Sequence, residues 1–206
     1  MSLLDKVVAA VTPPESEEEH AQARAKARAA AISGDWLSMV LDQHVQIESA
    51  FAAVKAAADS ASRVLAQKRL ATLLTGHSIA EEVVLYPAMV KANEEGHSTK
   101  AYTEQSAAKV QMGLLQDIPP MSQEYLDKLE HLRGAVAHHV YEEEGNWFLG
   151  IRRKLSSADQ DKLTQRYKEQ FARYMGEIDK GENANRLEAL RVKPANQSSR
   201  GADGNA

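Results

Sequence analysis

Apolar residues recur every three or four positions along most of the chain, which is the period of an α-helix that buries one face. The pattern predicts four long helices, over residues 36–58, 62–93, 99–116 and 122–154. Pro87 lies inside the second of these and predicts a bend, because proline lacks an amide donor and clashes with the preceding turn. No sustained alternation of β-branched residues favours a strand, so we expect an all-α fold.

Shorter helical segments flank these four. Residues 15–33 begin with glutamates and continue with arginine, lysine and alanine, which suits the helix dipole and predicts a peripheral helix. A further helix is expected from Ser156 to about Met175. The predicted organisation is an N-terminal segment with a peripheral helix (1–34), an up-down four-helix bundle (35–155), an additional C-terminal helix (156–176) and a polar, disordered tail (177–206).

Composition excludes several kinds of chemistry. The chain has no cysteine, so disulfides, thiolate ligands and iron–sulfur clusters are excluded. No signal peptide and no apolar run of about 20 residues is evident, and we expect a cytoplasmic protein without a membrane partner. The net charge of -4 also argues against nucleic acid as a partner.

Polar residues interrupt the apolar faces of two helices in the same way. His77 is followed four residues later by Glu81, and His139 is followed four residues later by Glu143. In each case a second glutamate comes next, and an aromatic residue stands nine positions after the histidine. Because residues i and i+4 share one helix face, an imidazole and a carboxylate are presented together twice.

The last helix offers a second pair with the same spacing, His138 and Glu142. The helical line through His138 holds mostly polar or small residues, whereas the line through His139 holds Leu132, Val136 and Trp147. Periodicity therefore places His139 on the buried face.

Buried carboxylates and imidazoles cost several kcal/mol each unless they are compensated. A pair of divalent cations would compensate them, and mixed nitrogen and oxygen ligands suit Fe, Mn or Zn. A metal-free polar core remains the alternative interpretation. The predicted metal ligands are His44, His77, Glu81, His139 and Glu143.

Further candidates come from their positions in the same helices. Glu48 stands one turn after His44, and Gln105 precedes His139 by nearly the interval that separates His44 from His77. Tyr102 lies about one turn before Gln105. These three are candidate additional ligands, while His138 and Glu82 are candidates for hydrogen bonding around the ligands.

At these residues the chain resembles the hemerythrin-like proteins with the HHE cation-binding domain, over about residues 36–155. The likeness comprises His44, the first His-x-x-x-Glu-Glu motif with its Leu85-Tyr86-Pro87, and the second motif from His139 to Phe148. The resemblance implies a four-helix bundle that holds two non-haem iron ions, bridged by carboxylates and by an oxo or hydroxo group. The bridging carboxylates would be Glu81 and Glu143.

Two departures from the family pattern change the expected function. Gln105 takes the place of a third-helix histidine, and Trp147-Phe148-Leu149 replaces a Leu-Phe-Pro. One nitrogen ligand fewer argues against simple oxygen carriage. We expect a protein that binds or reacts with O2, peroxide or NO, with catalase-like peroxide scavenging as its enzymatic form. The alternative is a non-catalytic module that senses oxygen or binds iron, and either version is compatible with a homo-oligomer.

Overall fold

The computed structural model describes residues 15–191 of the chain, with side chains up to residue 176. The expectations for residues 1–14 and 192–206 lie outside the described residues. The helices are α1 (Glu17–Ala30), α2 (Trp36–Ala56), α3 (Ser60–Ala80), α4 (Tyr86–Lys91), α5 (Glu95–Leu114), α6 (Gln123–Glu142), α7 (Phe148–Lys154) and α8 (Ser157–Arg191). Residues 15–191 contain no strand, and the all-α prediction is confirmed.

Short polar side chains fix where the bundle helices begin. Asp35 accepts a hydrogen bond from the Ser38 amide at the start of α2, and Ser122 accepts one from the Tyr125 amide at the start of α6. Each side chain satisfies an amide that the first helical turn leaves without a backbone partner.

The four-helix bundle consists of α2, α3 with α4, α5, and α6 with α7. Helix α2 packs on α3, α5 packs on α6, and cross-contacts join α2 to α6 and α3 to α5. The predicted bundle with added helices at both ends is confirmed. Within residues 15–191, none of the helices combines the length and apolar composition that a membrane crossing requires.

Two hydrophobic clusters fill the bundle, one toward each end. The first includes Trp36, Leu41, Ala80, Trp147 and Phe148, and the second includes Ile47, Phe51, Leu74, Leu129 and Val136. His44, His77 and His139 each lie, along their own helix, between members of the two clusters. The chain therefore builds a polar layer inside the bundle, with packed aliphatic and aromatic side chains on both sides.

Two π-helical segments, Glu81–Leu85 and Glu143–Trp147, connect α3 to α4 and α6 to α7. In each, the amide of the next residue donates to the carbonyl five residues back, from Tyr86 to Glu81 and from Phe148 to Glu143. The sequence predicted only a bend at Pro87. The second π segment forms where the chain has Leu149 instead of proline, so a proline is not required for such a segment.

The C-terminal helix is longer than predicted. Helix α8 continues to Arg191, whereas the polar sequence after residue 176 had suggested a tail. Glutamate, arginine, lysine, leucine and alanine in this stretch are good helix formers, so polarity alone did not predict the helix end. Helix α8 packs on α2 and α3, and α1 packs on α2 and on the second π segment.

Candidate metal centre

Three imidazoles point into the polar layer through their Nε2 atoms. His44 Nε2 lies 3.3 Å from a Glu143 oxygen and 3.9 Å from a Glu81 oxygen. His77 Nε2 lies 3.2 Å from Glu81, and His139 Nε2 lies 3.1 Å from Glu143. All five side chains are buried. The two His/Glu pairs and the α2 histidine therefore meet in one place.

Each carboxylate presents one oxygen to each of two neighbouring positions. Glu81 directs Oε1 toward His77 and Oε2 toward Gln105, and Glu143 directs Oε2 toward His44 and Oε1 toward His139. One position thus has two imidazoles, His44 and His77. The other has one imidazole, His139, beside Gln105.

Each of these imidazoles also makes a polar contact through Nδ1, the ring nitrogen that faces away from the layer. His44 Nδ1 lies 2.9 Å from Glu144, and His77 Nδ1 lies 2.9 Å from the Gln43 side-chain oxygen. His139 Nδ1 lies 2.8 Å from Glu104. An acceptor at Nδ1 favours the tautomer that leaves the Nε2 lone pair free, which is the arrangement expected around a metal-bound histidine.

The two carboxylates differ in their proton affinity. Burial, followed by the nearby charge of Glu143, raises the pKa of Glu81 to about 7. Burial also acts to raise the pKa of Glu143, but His139 and His44 more than offset it and hold that pKa well below its usual value. Two adjacent buried carboxylates repel each other, so a shared cation would favour the ionised form of both.

The imidazoles reflect the same crowding of charge. Burial opposes protonation of His44 and His139, but neighbouring carboxylates raise the pKa of His139 to about 10 and that of His44 well above its ordinary value. Burial and then the charge of His44 hold the pKa of His77 below its ordinary value. A metal ion would have to displace the protons that these raised pKa values favour on His44 and His139.

The residues present fit a metal site. Buried His44 Nε2, Glu81 Oε1 and Glu143 Oε2 have no hydrogen-bond partner among the described residues. One ligand atom from each of His44, His77, Glu81 and Glu143 falls within 4.8 Å of the others. Unpaired buried polar atoms are costly, and converging nitrogen and oxygen atoms are what Fe, Mn or Zn binds.

Tyr86 also reaches the layer, which the sequence did not predict. Its hydroxyl lies 3.1 Å from His139 Nε2, 3.1 Å from Glu143 and 3.4 Å from Glu81. Tyr86 stands nine residues after His77, which is half a turn away from the histidine on a regular α-helix. The π segment accommodates an extra residue between them and turns Tyr86 inward. The repeated aromatic at this spacing was the available signal.

The further candidates fall in different places. Gln105 lies in the layer and donates from its amide to Glu81. Glu48 lies outside the layer, where its half-exposed carboxylate binds Arg24 at 2.6 Å. Tyr102 also lies outside, because its hydroxyl donates to the Glu82 carbonyl at 2.6 Å. As candidate ligands, Glu48 and Tyr102 are not brought to the layer.

The two candidates for supporting hydrogen bonds also point away. Partly exposed His138 pairs with Glu15 at 2.9 Å. The Glu82 carboxylate binds Lys109 instead of a ligand. The residues that do support the ligands are Glu144, Gln43 and Glu104, each of which is next in sequence to a side chain of the layer.

Comparisons with known proteins identify the family and the fold of this chain. The model of the hemerythrin HHE cation binding domain matches residues 36–149. A hemerythrin HHE cation binding domain-containing protein from Mycobacterium kansasii, known from its crystal structure, shares the fold with a TM-score of 0.62 and 21% identity, over 77% of this chain and 93% of that chain.

A protein named DNA nickase from Nostoc sp. PCC 7120 is 36% identical over 95 residues, which are 46% of this chain and 27% of that protein. The match therefore spans about a quarter of the relative's length. The family model covers more than half of the present chain, from the start of α2 to the second His/Glu motif. This protein belongs to the hemerythrin HHE cation binding domain family.

Proposed function

We propose that the chain is a non-haem di-iron protein that binds or reacts with O2, peroxide or NO at a carboxylate-bridged metal pair. The family is a cation-binding one, and the chain carries a buried His/Glu cluster of the right chemistry. The observation that supports two ions is the orientation of the two carboxylates. Glu81 and Glu143 each direct one oxygen toward the His44–His77 position and the other toward the His139 position. Manganese or zinc would fit the same donors.

His44 and His77 would hold one ion and His139 the other, with Glu81 and Glu143 spanning both. When bound, two iron ions would supply redox equivalents and open coordination positions. The position beside His139 has only one imidazole, with Gln105 where the other has a second nitrogen ligand. We therefore assign the small exogenous ligand to the His139 position.

Tyr86 holds a proton at that position. Burial and the charges of Glu143 and Glu81 raise the pKa of the Tyr86 phenol well above its usual value. The phenol is therefore a neutral hydrogen-bond donor beside His139 Nε2 at neutral pH. A donor placed there would hydrogen-bond a small oxygen-containing ligand and supply a proton to it.

The proposed turnover is the catalase-like conversion of two molecules of H2O2 into two of water and one of O2. The test is to load the metal-free protein with ferrous iron under air, count the iron per chain and record O2 release after H2O2 is added. We expect about two ions per chain and O2 release far above that of the same amount of free iron. Stoichiometric iron with no such release would reject the enzymatic version.

We propose a small molecule, and not nucleic acid, as the partner. The chain's net charge is -4, whereas a protein surface that binds nucleic acid is normally basic. The matched part of the Nostoc protein is only 27% of its length, so the activity in its name is not proposed for this chain.

A further inference from the structure

We infer that two helices outside the family match, α1 and α8, position His44 and His77 for metal binding, through Arg24 and Tyr167. The inference rests on the proposed metal pair, since it assigns a role at that same site. Both residues lie beyond residues 36–149. Arg24 reaches His44 through Glu144. Tyr167 reaches His77 through Gln43, and its hydroxyl also lies 3.4 Å from His77 Nδ1.

Arg24 of α1 holds the carboxylate that supports His44. The Arg24 Nε atom donates to both Glu144 oxygens, at 3.0 and 3.1 Å, and Glu144 lies 2.9 Å from His44 Nδ1. The Glu144 side chain is only 2% exposed. Arg24 therefore fixes the position of the Glu144 carboxylate, and this carboxylate accepts the Nδ1 proton of His44 and leaves Nε2 facing the layer.

Arg24 is itself fixed by a second carboxylate. Its two terminal nitrogens donate to the Glu48 oxygens at 2.9 and 2.6 Å. The guanidinium thus binds Glu144 through one edge and Glu48 through the other, which a lysine cannot reproduce. Glu48, predicted as a ligand, instead anchors the arginine.

Tyr167 of α8 sets the orientation of the amide that supports His77. Its hydroxyl donates to the Gln43 side-chain oxygen at 2.7 Å, and the same oxygen lies 2.9 Å from His77 Nδ1. Burial, followed by the charges of Glu81 and Glu143, raises the pKa of Tyr167 well above its usual value, so the phenol keeps its proton. A donor on each side requires the amide oxygen, and not the NH2 group, to face the imidazole.

Removing the Tyr167 hydroxyl would release that constraint. A flipped Gln43 amide would present a donor to His77 Nδ1, which would move the ring proton to Nε2 and block the metal-facing lone pair. Both flanking helices thus act on the position that has two imidazoles. His139, in the other position, takes its support from Glu104 of α5, within the bundle.

The test compares four substitutions in the full chain, two at the proposed positioning residues and two matched controls. Arg24→Met is paired with Arg28→Met, which removes another α1–α2 ion pair, Arg28 with Asp42 at 2.7 Å. Tyr167→Phe is paired with Tyr125→Phe, which removes another buried tyrosine–glutamine hydrogen bond, to Gln67 at 3.2 Å. Each protein is loaded with ferrous iron, and iron release to an excess of chelator is followed by absorbance.

We expect Arg24→Met and Tyr167→Phe to release one of two ions about ten times faster than wild type, the lower end of the effect known for residues that support metal-bound histidines. The two controls should release iron at the wild-type rate. Thermal unfolding of the metal-free variants measures general destabilisation separately, so that the change in iron-release rate can be compared with the change in melting temperature for each variant.

Equal release rates in all five proteins would overturn the inference and leave the proposed metal pair intact. A wild-type chain that retains no iron would overturn the proposed function, and this inference with it. Should Arg24→Met fail to fold, Tyr167→Phe, which removes a single oxygen atom, decides the outcome alone.

Discussion

At the scale of single residues, the choice between adjacent histidines carries the largest consequence. His139 is buried with its Nε2 near Glu143, whereas His138 is partly exposed and pairs with Glu15. We expect His139→Ala to lose at least one of two iron ions per chain, because the second position has no other imidazole. His138→Ala should bind as much iron per chain as the wild-type protein does. Metal analysis of the two purified variants checks this, and equal iron contents would contradict the assignment.

Tyr86 offers a second residue-scale prediction, about turnover and not metal binding. Tyr86→Phe removes the proton donor beside His139 and keeps the ring, so iron content should stay near wild type. O2 release from H2O2 should fall by about 10²-fold, the lower range for loss of a positioned proton donor. Tyr102→Phe is the control, because that hydroxyl donates to a backbone carbonyl outside the layer. Similar rates for both variants would refute the role of Tyr86.

At the scale of helices, the π segments show what periodicity can and cannot predict. The 3.6-residue period was sufficient to place His77, Glu81 and the rest of the inward line, because each lies within one or two turns of its neighbours. It could not place Tyr86, since an insertion of one residue changes the phase of everything that follows. Both π segments begin at the predicted carboxylate ligands, which is the kind of place where such insertions occur in helices.

Pro87 allows a direct test of what produces the first π segment. Leu149 occupies the equivalent position in the second helix, where a π segment also forms. We therefore expect Pro87→Leu to retain two iron ions and to keep peroxide turnover within about twofold of wild type, since the exposed ring contributes nothing to the layer. Metal content and O2 release measure this. Loss of turnover with iron retained would show that proline sets the phase of Tyr86.

At the scale of the whole molecule, sequence predicted the bundle better than the layer of supporting residues around the candidate site. The aliphatic lines and the two His/Glu pairs were readable because their spacing is local to one helix. Arg24 and Tyr167 contact the supporting residues from other helices, and no local spacing in the sequence relates them to the layer. Their roles depend on how helices pack side by side, which a one-dimensional pattern does not contain.

The buried carboxylates of this layer should lower the free energy of unfolding of the metal-free protein. Glu81 and Glu143 are both fully buried, and repulsion and burial raise the pKa of Glu81 to about 7. A carboxyl whose folded pKa exceeds its unfolded value destabilises the fold at high pH, and this penalty disappears as the pH falls through the folded pKa. Glu81→Gln has a similar shape and no charge. It should therefore stabilise the metal-free protein at pH 8 by about 1–3 kcal/mol.

The gain from Glu81→Gln should vanish near pH 4.5, where Glu81 of the folded wild type is protonated. Urea unfolding of both metal-free proteins at the two pH values measures this difference. Added iron should then reverse the order at pH 8, because a ligand that binds the folded state raises stability in proportion to its affinity and the variant has lost a bridging oxygen. If Glu81→Gln proved less stable than wild type without metal, the two carboxylates would be structural partners and the bundle would need no cation between them.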